Sequence, residues 1–239
     1  MARLPGPLWP QVIRVRIRRM KTHGPVHVSG FVEPMFQENG YLLWSGDGPE
    51  AWIVDPSFAP QPEQIMAAMA RHGLKPAAIV ITHAHVDHIA GIEELRAEYA
   101  ELPILAPRDE ATLLPDANAN LSAAMGLPVV APEATRLISP GDKLVLGPLT
   151  WRALDVSGHS LGGMAYYCAA AGVVLTGDAL FAGSIGRTDF PGGSYEGLIA
   201  NIRRQLLSLP DDTVVYSGHG PATTIGDERA RNPFLHAGD

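Results

Sequence analysis

Short apolar runs rich in β-branched residues alternate along this chain with stretches whose apolar positions recur every three or four residues. Residues 40–44, 51–54 and 77–81 show the first pattern and predict strands; residues 61–72 and 89–99 show the second and predict helices. The order then repeats. Residues 143–146, 149–156, 164–168 and 173–176 read as strands, and residues 195–207 as an amphipathic helix. Two such βα halves imply an α/β protein in which two mixed sheets pack face to face with helices outside. The alanine-rich residues 116–127 predict a short helical insertion near the mouth of any site built at the strand ends, serving as a spacer rather than a substrate contact.

Composition agrees with one catalytic unit. The 239 residues are 46% hydrophobic, enough for a sizeable core, and no linker divides them. No apolar run approaches the roughly 18 residues that span a bilayer, so no membrane partner is expected. The lone Cys168 lies among apolar neighbours, excludes an internal disulfide and reads as a buried, inert thiol. With no signal-like apolar segment near the start, the expected location is cytoplasmic.

Charge is uneven. The first 32 residues hold Arg3, Arg14, Arg16, Arg18, Arg19 and Lys21 and no acid, so with a formal net charge of −7 overall the remainder stands at −13. An acidic body is a poor partner for nucleic acid. Residues 1–24 are therefore expected to be a basic N-terminal extension, with Met20 as an alternative start, and residues 25–239 the catalytic domain. Within the extension, residues 12–18 alternate as an exposed strand would, while Pro5, Pro7 and Pro10 favour an irregular tail.

The chemistry is concentrated after the strand at 77–81. There His83, His85, Asp87 and His88 fall within seven residues, and imidazole and carboxylate are the side chains that bind divalent zinc or iron. His83 and His85, two apart, face one side of an extended segment; Asp87 and His88 follow as the chain turns into a helix. His159, Asp178 and His219 each follow a further strand-like run. Seven candidate ligands exceed what one zinc needs and suit two ions bridged by a carboxylate and a shared hydroxide. Asp55, after the strand at 51–54, suits either a hold on a ligand imidazole or a simple turn before Pro56. Arg187 suits either a substrate carboxylate or an inward-facing ion pair.

Residues 82–88 followed by His159, Asp178 and His219 resemble the metallo-β-lactamase superfamily over residues 31–235. Residues 176–190, 218–224 and 232–235 are similar to short, single-domain members of the glyoxalase II (hydroxyacylglutathione hydrolase) group. The resemblance implies a four-layer αββα sandwich. It also implies a first metal on His83, His85 and His159, a second on Asp87, His88 and His219, and Asp178 between them, with Asp87 orienting the attacking water as well as binding metal. The cofactors implied are two divalent ions, zinc foremost, with iron or manganese accepted. The partner implied is a small-molecule thiol ester such as S-lactoylglutathione, cleaved by hydroxide. Persulfide dioxygenases of the same fold share Asp178 and the Arg187-Thr188-Asp189-Phe190 stretch and use a single iron, which keeps a glutathione persulfide dioxygenase as the alternative; a lactonase or other esterase of this fold is a further one.

Overall fold

Aliphatic and aromatic residues bury both faces of the central strands, so each sheet needs cover on both sides. The computed structural model, which describes residues 21–46 and 48–236, supplies it in four layers. The first sheet is β1 (Lys21–His23), β2 (Val26–Val32), β3 (Asn39–Ser45), β4 (Glu50–Val54), β5 (Lys75–Val80), β6 (Ile104–Pro107) and β7 (Arg136–Ile138), paired in that order. Strands β1 to β4 run antiparallel and β4 to β7 parallel. The second sheet runs β15 (Thr223–Thr224), β14 (Val214–Ser217), β11 (Val173–Gly177), β10 (Met164–Cys168), β9 (Leu149–Asp155) and β8 (Lys143–Leu146), with β11 and β14 parallel. A hairpin of β12 (Leu180–Phe181) and β13 (Ser184–Ile185) stands apart.

The period-2 alternation sorts side chains into layers. Tyr41, Leu43, Trp52 and Val80 from the first sheet meet Trp151, Tyr166 and Leu175 from the second, with the rings of Trp52 and Trp151 5.7 Å apart. Their neighbours Leu42, Ile53 and Ile79 point the other way. They pack under α1 (Gln61–His72), α2 (Val86–Ile89) and α3 (Ile92–Glu98), through Ile65, Met69, Ile89, Ile92 and Leu95. On the far side, Leu154, Ala165, Val174 and Val215 are covered by α4 (Tyr195–Asn201), the π-turn that continues it over Ile202–Leu206, and α5 (Ile225–Arg231). The chain ends in α6 (Pro233–His236). This is the αββα sandwich, and both sheets are mixed. Cys168 is buried between them, and no helix among the described residues is long and apolar enough to cross a membrane.

Three expectations change. Among the described residues the first sheet includes Lys21–His23, which lie in the stretch expected as an extension: β1 pairs with β2, and His23 Nε2 lies 2.6 Å from the Tyr216 hydroxyl, tying the edge strand to the second sheet. Residues 12–18 and Met20 lie outside the described residues. The insertion at 116–127 is a set of turns with one 3-10 turn, Ala123–Met125, instead of a helix. Asp116 Oδ1 accepts from the amides of Asn118 and Ala119, and Asn120 Oδ1 from that of Ser122; these local bonds displace the helical ladder that alanine would favour. The helix expected over 89–99 is split between α2 and α3 at Ala90-Gly91.

Close packing explains the split. The Gly91 amide donates to the Pro56 carbonyl at 2.9 Å, and a Cβ at Gly91 would overlap the Ser57 carbonyl oxygen. The loop after β4 therefore sits directly on the break that aims α2. We expect Gly91→Ala to lower stability by about 1–3 kcal/mol through this overlap, read as a lower urea midpoint. A variant as stable as the parent would show that the loop yields freely.

Candidate metal centre

Loops from both sheets bring their polar side chains to one place. His83 and His85 leave the end of β5 in extended conformation, and Asp87 and His88 occupy the first turn of α2. His159 follows β9, Asp178 follows β11 and His219 follows β14. All seven expected side chains meet. One nitrogen each from His83, His85 and His159 lie within 4.8 Å of one another, and so do ligand atoms of Asp87, His88 and His219. Asp178 stands between the groups, its Oδ2 3.6 Å from His159 Nε2 and 3.4 Å from His219 Nε2, its Oδ1 3.5 Å from His88 Nε2.

Hydrogen bonds behind the imidazoles decide which nitrogen faces inward. His159 Nδ1 donates to the Arg187 carbonyl at 2.7 Å, which leaves Nε2 with its lone pair, 2.9 Å from His85 Nδ1. His88 Nδ1 donates to Asp55 Oδ2 at 3.1 Å. The Thr82 hydroxyl donates to the same Oδ2 at 2.6 Å and so presents a lone pair to His83 Nδ1 at 3.2 Å. Asp55 thus fixes one candidate ligand imidazole directly and another through Thr82. The forward atoms His83 Nε2, His88 Nε2 and Asp178 Oδ1 are buried without hydrogen-bond partners. A divalent cation would satisfy these unpartnered buried atoms once His88 gives up its proton, so the donor set fits divalent metal. Gly218 permits the crowding: a Cβ there would overlap Asp178 Oδ1 and His88 Cε1.

The protein groups alone divide into two electrostatic classes. Burial, reinforced by neighbouring imidazoles, holds His83 well below the usual histidine range and takes His85 down to about 3. Burial also pushes His88 and His219 down, but carboxylates outweigh it. Asp87 and Asp178 hold His88 well above the usual range, and hydrogen bonds to Asp178 and Asp87 raise His219 to about 9. Burial raises Asp87 and Asp178, yet the facing His88 and His219 keep both carboxyls below their ordinary values.

Two buried carboxyls near the centre carry no sequence signal. Glu38, just ahead of β3, is fully buried with Oε1 3.9 Å from His88 Nδ1, and burial drives its pKa well above the carboxylate range. Glu110 accepts from the amides of Ala84 (3.0 Å) and Gly162 (2.6 Å), clamping the His83–His85 loop to the loop that carries His159. Both roles depend on loops far apart in sequence meeting, which no local pattern reveals. Arg187 faces outward, 59% exposed, in a two-armed pair with Asp189 at 2.6 Å, so the ion pair is not inward-facing. A cleft of about 510 Å³ opens onto the centre, walled by Phe36, Leu121, Met125, Phe181 and Phe190 and edged by Arg187. Leu121 and Met125 belong to the 116–127 insertion, which therefore does more than space the chain.

The ionisation pattern gives a signed expectation. His83 and His85 are neutral at pH 7 and release no proton when an ion binds; His88 and His219 are protonated and must each release one, about two protons in all. Protons compete with metal there, so affinity of the Asp87, His88 and His219 group for a divalent ion should climb as pH rises toward about 9, where His219 deprotonates. Calorimetric titration in buffers of different ionisation heat reads this directly, and an affinity at that group that ignores pH between 6 and 9 would contradict it.

The profile of the Metallo-beta-lactamase superfamily matches residues 34–219. The Probable metallo-hydrolase YqgX of Bacillus subtilis is 40% identical over 201 residues, covering 84% of this chain and 93% of its own. The Hydroxyacylglutathione hydrolase GloC of Haemophilus influenzae is 34% identical over 205 residues, covering 84% and 94%. Among solved structures, BLEG-1 B3 metallo-beta-lactamase aligns with a TM-score of 0.83 at 37% identity, over 88% of this chain and 100% of that one. TTHA1623, solved in a di-iron-bound form, aligns with a TM-score of 0.74 at 38% identity, over 85% and 98%. Sandwich, strand-end cluster and sequence relatives agree, and the chain belongs to the metallo-β-lactamase superfamily, whose fold binds divalent metals.

Proposed function

We propose that this chain is a binuclear metallohydrolase that cleaves acyl thioesters. The observation that carries the reading is Asp178 between two triads of ligand atoms, within reach of both. His83, His85 and His159 would hold one ion and Asp87, His88 and His219 the other, with Asp178 shared. His/Asp donor sets take zinc, iron or manganese, and zinc is our assignment. When bound, such a pair supplies a hydroxide nucleophile near neutral pH and polarises a carbonyl. Similarity to GloC supports a thioester as substrate. TTHA1623 in its di-iron-bound form supports two ions.

The chain's own side chains do the positioning. Asp87, partly open to the cleft with Oδ2 3.3 Å from His219 Nε2, would orient the attacking water while holding metal. Asp55 and Thr82 keep two imidazoles in the tautomer that presents Nε2 inward. The aromatic and aliphatic walls exclude bulk water from the reacting carbonyl, and Arg187 stands at the rim.

Elemental analysis of the purified protein, paired with thiol-release assays on a panel of acyl thioesters that includes S-lactoylglutathione, tests the reading. Two equivalents of metal and thiol release are expected. One iron per chain, with oxygen consumed on a glutathione persulfide, would replace hydrolase by dioxygenase. Asp55→Asn should weaken metal affinity about 10- to 100-fold with the fold retained, because an amide has one accepting oxygen for the three donors Asp55 serves, the Thr82 amide, the Thr82 hydroxyl and His88 Nδ1. Unchanged affinity by competition with a chelator would remove Asp55 from the centre.

A further inference from the structure

The hydrolase reading leaves open what flanks the scissile carbonyl, and the cleft walls bear on that. Phe36, Leu121, Met125, Phe181 and Phe190 reach it from separate segments, and Phe190 packs edge-on to His85 with ring centroids 5.3 Å apart. Phe36 is braced by stacking on Phe58 at 5.6 Å. Met125 is 44% exposed at the rim. The lining also holds Asp87, Asp178, His85, His159 and His219, all directed at the metal cluster. Among the described lining residues, Arg187 is the remaining cation. Both arms of its guanidinium are engaged by Asp189, and its carbon lies 4.1 Å over the Phe190 ring. A carboxylate reaching the rim meets a guanidinium whose two arms are already engaged by Asp189.

Resting on the thioester-hydrolase reading above, we propose that this cleft selects acyl thioesters whose flanking groups are apolar and uncharged. A glutathione thioester, which carries two carboxylates, is a poor substrate by comparison. The reaction is the hydrolysis already assigned: the acyl C–S bond breaks, a C–O bond forms from water, and the products are a carboxylate, a thiol and one proton. Selection comes from the walls, where each methylene buried against Phe36, Leu121 or Met125 gains about four-fold in affinity. Asp189 sets the discrimination by occupying Arg187.

The test uses the metal-loaded full chain with two substrate sets: S-lactoylglutathione, and thioesters of N-acetylcysteamine with straight acyl chains of two to eight carbons. Binding of the matching uncharged thioethers, which cannot be hydrolysed, is measured beside turnover by calorimetry. The expected result is that kcat/KM and thioether affinity both rise about four-fold per methylene over the first additions, with S-lactoylglutathione at least ten-fold below the best chain. Two rim variants follow. Met125→Lys should flatten the chain-length dependence, and Asp189→Asn, by freeing Arg187, should shift the ratio of the two kcat/KM values about 3- to 5-fold toward S-lactoylglutathione. S-lactoylglutathione as the best substrate, with no chain-length dependence in either readout, would overturn the apolar selection and leave the hydrolase standing. Chain-length-dependent thioether binding without hydrolysis of any thioester would overturn the hydrolase reading while the cleft's preference survives.

Discussion

The carboxylate of Asp55 is the constraint on which this centre rests. It accepts from the Thr82 amide at 2.7 Å, from the Thr82 hydroxyl at 2.6 Å and from His88 Nδ1 at 3.1 Å, with only 2% of the residue exposed. Those bonds stitch the end of β4 to the end of β5 and dictate two tautomers in the cluster. They also hold Asp55 at φ 49°, a conformation that costs a non-glycine residue about 1–3 kcal/mol and persists only where its surroundings over-determine it. Local strain at the strand end is thus exchanged for ligand orientation.

Such a centre opposes the stability of its own fold until a cation arrives. Asp87, Asp178 and Asp55 converge with His88 and His219 in a buried region, and several forward atoms there make no hydrogen bond. Their desolvation is unfavourable and is carried by the two-sheet core, in which Trp52, Trp151 and Tyr166 fill the space between layers. A ligand that binds the folded state alone stabilises it by mass action, so metal loading and folding are coupled. The same geometry explains why the ligands sit at strand ends: paired strands on both sides fix the loop origins, and the loops then need only a few residues to converge.

How much could be read from the chain depended on whether the signal was local. His83, His85, Asp87 and His88 lie within six positions and declare themselves; His159, Asp178 and His219 are recognisable because each lies in the loop that leaves a strand. Glu110 escaped because its two partners, Ala84 and Gly162, lie 26 and 52 residues away, and nothing in its own neighbourhood differs from a solvated turn. Glu38 escaped likewise, since only the fold buries it beside His88. The 116–127 segment was misjudged for a different reason. Alanine propensity argued for a helix, but the Asp116 and Asn120 side chains capture backbone amides and win locally. The β1 edge strand was taken for a tail because its pairing with β2 and its contact to Tyr216 are long-range facts.

Reactivity and selectivity occupy different parts of this molecule. Every candidate ligand is held in a loop that leaves a strand end or in the short α2, on backbone that the sandwich fixes. The cleft walls come instead from the 116–127 turns, the loop carrying Phe190, the segment before β3 and the β12–β13 hairpin. Loops tolerate substitution without disturbing the core, so relatives with the same metal cluster can differ in what they accept. Similarity to a hydroxyacylglutathione hydrolase therefore speaks to the bond broken more than to the thiol released. At that rim the Arg187 guanidinium is paired with Asp189, two positions along the same loop, so the charge presented to the cleft is set by loop residues and not by the sandwich.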